Sequence, residues 1–214
     1  MITDHLLAKY PIISDQVDTK ELGVLLRELE KVLRSGAAGN IVEFGCYVGT
    51  TSLFIRRLLD AYDFTGEFHV YDSFMGLPEK TQADASAAGE QFKAGELLAP
   101  RKTFIQNFKK AGLKLPTIHK GWFADFTPDD VPESIVFAFL TAIFMNQLSI
   151  HSASATASFR KRRLSSLMTM PMKLCQAPRE RSISGWRIIG NIRREQSLVW
   201  QLFTSFSTVF LKVA

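Results

Sequence analysis

Cysteine is almost missing from this chain: Cys46 and Cys175 are the only two in 214 residues. Two thiols cannot build a disulfide framework, and no Cys/His spacing of the metal-binding kind occurs. Long apolar runs are missing too. Met1–Tyr10 has no uninterrupted apolar core, which argues against a secretory leader. Ser197–Ala214 is apolar but broken by Gln201, Thr204, Ser205, Ser207 and Thr208, which argues against a membrane anchor. There is no internal repeat and no Gly-x-Gly-x-x-Gly spacing of the dinucleotide-binding type. These absences predict one cytoplasmic domain of ordinary size, with no membrane partner.

Acids are absent in one region only. Residues 1–140 hold 15 Lys/Arg and 19 Asp/Glu, whereas residues 141–214 hold 11 Lys/Arg and two acids, Glu180 and Glu195, with no Asp. The net charge of +5 therefore joins a front of −4 to a tail of +9. Of 13 glycines, only Gly185 and Gly190 lie in the tail. A nucleic-acid-binding tail would account for the charge, but not for a sheet protein that halts in mid-strand. No nucleic-acid partner is therefore expected, and the run Arg160-Lys161-Arg162-Arg163 is a docking patch only if the tail is genuine.

Basic residues are absent between Asn40 and Ile55, around Ile41-Val42-Glu43-Phe44-Gly45-Cys46-Tyr47-Val48-Gly49-Thr50-Thr51-Ser52. This stretch reads as a buried strand ending in a carboxylate, a tight glycine turn, and the first turn of a helix capped by Thr50, Thr51 or Ser52. Such strand–loop–helix units hold nucleotide-like cofactors at the carboxyl end of a parallel sheet. A pyrophosphate is repelled by Glu43, whereas the sulfonium and ammonium of S-adenosylmethionine suit it. The next strand, Glu67–Phe74, carries Asp72 at its tip, where a ribose is held in Rossmann-like sites.

The first 140 residues alternate between helix and strand. Leu22, Leu25, Leu26, Leu29, Val32 and Leu33 recur at helical spacing on Lys20–Ser35, with Ser35-Gly36 as the stop. A helix follows the glycine loop to about Tyr62. Met75-Gly76-Leu77-Pro78 then turns into a polar, Ala-rich segment through Gly95, long enough for a lid or surface loop. Ala99–Ala111 reads as a helix, Thr117–Gly121 as a short strand leading to Trp122-Phe123, and Ser134–Leu140 as a buried parallel strand. The pattern predicts an α/β, Rossmann-like sandwich with a mostly parallel sheet, its core at 40–140 behind an N-terminal helix at 20–35.

Three elements carry a family resemblance: Val42-Glu43-Phe44-Gly45-Cys46-Tyr47-Val48-Gly49, Val70-Tyr71-Asp72-Ser73-Phe74-Met75-Gly76-Leu77-Pro78, and Gly121-Trp122-Phe123. Over roughly residues 20–140 the chain resembles the macrocin O-methyltransferase (TylF-like) family of class I S-adenosylmethionine-dependent methyltransferases. The resemblance implies methyl transfer to a sugar hydroxyl of an antibiotic or related glycoside. It also implies aspartates that hold a divalent metal, Mg²⁺, in an element such as DGDFYESI after the strand at Phe137–Leu140, and in a later Asp-Asp-Tyr element. Neither is present here.

The departure has the form of a reading slip. Suitable codons for L-DGDFYESI, stripped of the first G of the first Asp codon, translate as Leu140-Thr141-Ala142-Ile143-Phe144-Met145-Asn146-Gln147. The same displacement of VDDYANEALPG gives Leu167-Met168-Thr169-Met170-Pro171-Met172-Lys173-Leu174-Cys175-Gln176. Residues 141–214 thus read as an out-of-frame, poorly ordered tail. Thr141, Ile143, Met168 and Thr169 stand where the aspartates are expected, and Mg²⁺ prefers hard oxygen ligands that include carboxylates.

The candidate cofactor-binding set is Glu43, Gly45, Tyr47, Gly49, Thr50, Asp72, Ser73, Trp122 and Phe123; no metal ligand and no catalytic residue is assigned. Each has a plainer role: Glu43 as a loop cap, Gly45 and Gly49 as packing relief, Asp72 as a turn acid, Trp122 and Phe123 as core aromatics. His69 and His119 sit within strands and read as structural, and Cys46 lacks a His/Asp partner that would make it a nucleophile. Three functions follow. The first is an O-methyltransferase with a small-molecule hydroxyl acceptor, impaired in this chain, with a second copy of the chain as its candidate partner in a homo-oligomer. The others are a non-catalytic S-adenosylmethionine-binding remnant and, less well matched, an NAD-type oxidoreductase.

Overall fold

The structure is a computed structural model, and it describes residues 1–79, 93–141, 163–164, 166–170 and 211–212. Helix α1 (Ile2–Lys9) precedes α2 (Thr19–Arg34). Strand β1 (Asn40–Phe44), helix α3 (Thr50–Ala61) and strand β2 (Phe68–Asp72) follow, then helix α4 (Arg101–Ala111) and strands β3 (Thr117–Lys120) and β4 (Ser134–Thr141). The boundaries lie within a few residues of those the periodicity predicts.

Helix α2 starts where it does because of a capping box: Glu21 N–H donates to the Asp18 carboxylate at 2.8 Å, and Asp18 N–H donates to the Glu21 carboxylate at 2.9 Å. Its leucines at 22, 25, 26 and 29 are fully buried. The sequence pattern gave no sign of α1. Eight residues are too short to hold a helix by themselves; here the Glu30 carboxylate accepts from Ile2 N–H, from Thr3 N–H and hydroxyl, and from the Tyr62 hydroxyl.

β1 pairs in parallel with β2 on one side and β4 on the other, and β2 pairs in parallel with β3, giving the core order β3-β2-β1-β4. Side chains alternate across the strands. Ile41, Phe68, Val70, Phe137 and Phe139 join the leucines of α2 and the apolar residues of α3 and α4 in the main core. Val42, Tyr71, Ile135 and Ala138 form a second cluster on the other face, with Phe44, Phe123 and Phe126 packed against it.

Beyond Thr141 the backbone of β5 (Arg163–Leu164) and β6 (Ser166–Met170) pairs in parallel with β4, and β7 (Leu211–Lys212) pairs antiparallel with β6. The sheet therefore continues past Leu140, where the sequence suggested that it ends. Ladder pairing needs only backbone N–H and C=O groups, and Ser-Leu-Met-Thr-Met tolerates an extended backbone. The rest of the expected out-of-frame tail lies outside the described residues. So do residues 80–92 of the predicted lid, whose base is pinned: Leu77 N–H donates to Glu96 O at 2.8 Å, and Gly95 N–H to Leu77 O at 2.9 Å.

Candidate active site

The carboxyl ends of β1, β2 and β4, with the segment leaving β3, open onto a crevice of about 850 Å³ including its mouth. This is where parallel α/β sheets place ligands. Gly45, Tyr47, Thr50, Asp72, Ser73, Trp122 and Phe123 line it, all of them on the list drawn from the sequence.

Asp72 organises the loop. Its Oδ2 accepts the backbone N–H of Cys46 at 2.8 Å and of Tyr47 at 3.0 Å, and its Oδ1 accepts that of Phe74 at 2.8 Å. A carboxylate has about four acceptor positions, so room remains for a ligand hydroxyl. The grip holds Tyr47 at φ 49°, a left-handed conformation rare for a residue with a side chain. Gly45 sits at φ 85°, and a Cβ there would run into the hydroxyl and carbonyl of Thr141. Only glycine fits between β1 and the end of β4. On the β3 side, Gly121 N–H donates to Asp72 O at 3.0 Å, which brings Trp122 and Phe123 to the rim. Phe123 then packs edge-on against Phe44, with ring centroids 5.7 Å apart.

Two residues of the predicted set lie off the crevice wall. Gly49, at φ 92°, turns its Cα toward α4, where an added Cβ would lie 2.9 Å from the Phe104 ring; it relieves packing and does not line the crevice. Glu43 shares the strand face of Ile41 and so lies beneath α3, fully buried. Its Oε2 accepts from the Ser52 hydroxyl at 2.5 Å and its Oε1 from the Thr51 hydroxyl. Burial pushes its carboxyl up to about 7, opposed by the two hydroxyl donors and reinforced by the charge of Asp72.

Other wall residues gave no signal in the sequence. Ser14, Gln16 and Val17 come from the segment between α1 and α2, and the Ser14 hydroxyl lies 2.8 Å from that of Thr50. Leu77 and Leu97 supply apolar wall. Cys46 lines the crevice as a thiol, because burial, then Asp72 and Glu43, push its pKa well up. His69 and His119 lie outside the crevice walls, with Nδ1 and Nε2 3.1 Å apart between β2 and β3.

At the end of β4 the Thr141 hydroxyl is within reach of Phe44 O at 3.0 Å and Gly45 O at 2.7 Å, so its hydrogen is committed to the backbone. Among the described residues no three His, Cys, Asp or Glu side chains group to hold a metal ion. No helix among them is long and apolar enough to cross a membrane.

The model of the family "Macrocin-O-methyltransferase (TylF)" matches residues 14–142, more than half of the chain. The chain belongs to the TylF macrocin-O-methyltransferase family. Among the proteins similar to it is the 8-demethyl-8-(2,3-dimethoxy-alpha-L-rhamnosyl)-tetracenomycin-C 4'-O-methyltransferase of Streptomyces olivaceus. It is 34% identical over 119 residues, covering 52% of this chain and 45% of that protein. The mycinamicin III 3''-O-methyltransferase of Micromonospora griseorubida is 32% identical over 128 residues, covering 56% of this chain and 50% of that protein. The chain therefore spans about half the length of these relatives. Among solved structures, the fold is shared with the O-methyltransferase NovP at a TM-score of 0.59 and 18% identity, over 72% of this chain and 65% of that one. It is shared with the calicheamicin methyltransferase CalS11 at a TM-score of 0.53 and 14% identity, over 78% and 74% respectively.

Proposed function

We propose that the crevice is an S-adenosylmethionine site and that the protein is of the sugar O-methyltransferase type, its acceptor a hydroxyl of a glycosylated natural product. The observation that carries this reading is the Asp72 carboxylate clamped across the Gly45–Gly49 loop, on a crevice that no basic side chain lines among the described residues. The two relatives above are named for methylating sugar oxygens, in the same class of acceptor. When bound, the cofactor supplies an electrophilic methyl group on a cationic sulfur. Asp72 and Ser73 would hold the ribose side, Trp122 and Phe123 would flank the base, and Tyr47 and Thr50 would border the amino-acid end.

Methyl transfer to a hydroxyl also requires help in removing its proton. In intact relatives the expected helper is Mg²⁺ held by aspartates. The residues present do not fit that ion: Thr141, at the end of β4, spends its hydroxyl on two backbone carbonyls, and a lone neutral hydroxyl is a poor Mg²⁺ site. The chain is therefore proposed to bind cofactor with little or no turnover.

The cause proposed is a one-base slip in the reading frame near the Leu140 codon. The family match ends at residue 142, only two acids follow Leu140, and with suitable codons two family elements return at one constant offset. The backbone of Leu167–Met170, the first four residues of the second element, lies beside Ala138–Thr141, the strand that ends on the first residue of the other. Calorimetry with S-adenosylmethionine, set against a turnover assay, tests the first reading: tight binding without transfer is the expected result, and no binding overturns it. The nucleotide sequence tests the second. If restoring one base near Leu140 does not open a frame containing both elements, the slip is excluded.

A further inference from the structure

We propose that Glu43 makes the crevice prefer a cationic cofactor over its uncharged product, acting from behind the crevice wall across Thr51. The inference rests on the S-adenosylmethionine reading above and deepens it, because Glu43 touches no ligand and is a positioning residue.

A buried carboxylate is costly unless a counter-charge meets it. Glu43 has both oxygens satisfied by hydroxyls, but among the described residues no basic side chain pairs with it. The nearby charged and titratable groups make matters worse. Asp72, at the tip of β2, raises its proton affinity, and Cys46, in the loop above, is held as a neutral thiol. On α3, Arg56 is engaged by Asp60 at 2.5 Å, one turn further along. The missing positive charge has one approach. Thr51 lies between Glu43 and the open crevice, with its hydroxyl on the carboxylate and its surface on the crevice wall.

A sulfonium seated in the crevice would provide that charge, and the thioether left after methyl transfer would not. Burial keeps Glu43 half-protonated near neutrality, with its carboxyl pushed up to about 7. Below that pH the group is neutral and indifferent to ligand charge. Above it the group is ionised and favours the cation. Preference for the cofactor over the product must then grow as pH rises through neutrality.

The test is calorimetric binding of S-adenosylmethionine and of S-adenosylhomocysteine to the full chain from about pH 5.5 to about pH 8.5. The sulfonium lowers the cofactor's own amino pKa below that of the thioether, so the Glu43 contribution is the part of the shift in the ratio of their dissociation constants that Glu43→Gln removes. That ratio is expected to shift about three- to tenfold toward the sulfonium across the range, the scale of a charge pair across a partly buried site. Binding of the sulfonium near neutral pH is also expected to release a proton, seen as a heat that depends on the buffer. Glu43→Gln should diminish both the shift and the release. A flat ratio in the unmodified chain, or an undiminished shift in Glu43→Gln, overturns the proposal. If neither ligand binds, the cofactor reading falls and takes the proposal with it. If both bind with a pH-independent ratio, only the proposal falls.

Discussion

The carboxylate of Asp72 accepts the backbone N–H of Tyr47 at 3.0 Å, and Tyr47 stands at φ 49°. One side chain at the end of β2 thus holds a left-handed turn at the end of β1. Asp72→Ala leaves three N–H groups without their acceptor, at an expected cost of about 3 kcal/mol. Urea unfolding should show that loss, with at least a roughly tenfold weaker affinity for S-adenosylmethionine. Unchanged stability would mean that the loop keeps its shape without the clamp.

Gly49 offers a cleaner separation of strain from packing. Gly49→Ala combines an unfavourable φ of 92° with a methyl pressed into the Phe104 ring, and should cost about 2–4 kcal/mol. Gly36→Ala, at φ 68° with nothing within 4 Å, carries the strain alone and should cost about 1 kcal/mol. Equal losses in thermal melts would show that the ring moves aside.

His69 and His119 set an acid limit. Both are held below the ordinary histidine pKa, chiefly by burial, and for His119 also by the neighbouring His69. The unfolded chain then binds more protons than the folded one below about pH 6.5, so their contribution is intact above that pH and is lost as pH falls toward the depressed folded values. Comparing urea midpoints of the unmodified chain with those of His119→Gln isolates this slope from that of Glu43, which runs the other way. The difference should widen at acid pH in favour of the variant; a constant difference would refute the assignment.

The segment before α2 is tied to the crevice by the 2.8 Å contact of Ser14 with Thr50. A double-mutant cycle over Ser14→Ala and Thr50→Val should return a coupling of about 1 kcal/mol. Cofactor affinity should weaken in both single variants, because Ser14 and Thr50 both face the crevice. Zero coupling would reduce the strap to a bystander.

The sequence by itself determined the alternating framework and the loop that carries the site. Leucines at helical spacing dictated α2, apolar runs dictated β1, β2 and β4, and Gly45 with Asp72 marked the crevice, because backbone freedom and hydrophobic periodicity are local properties. Helix α1 was not legible, since Glu30 holds it from 27 and 28 residues away. Nor was the wall made by Ser14, Gln16 and Val17, or the burial of Gly49 against Phe104. Glu43 shows the division within a single residue. Its identity and strand position were plain from the chain, but whether its carboxylate met ligand or the hydroxyls of α3 depended on which face of β1 the helices covered. That choice is made by packing of the whole sheet, and no stretch of sequence encodes it alone.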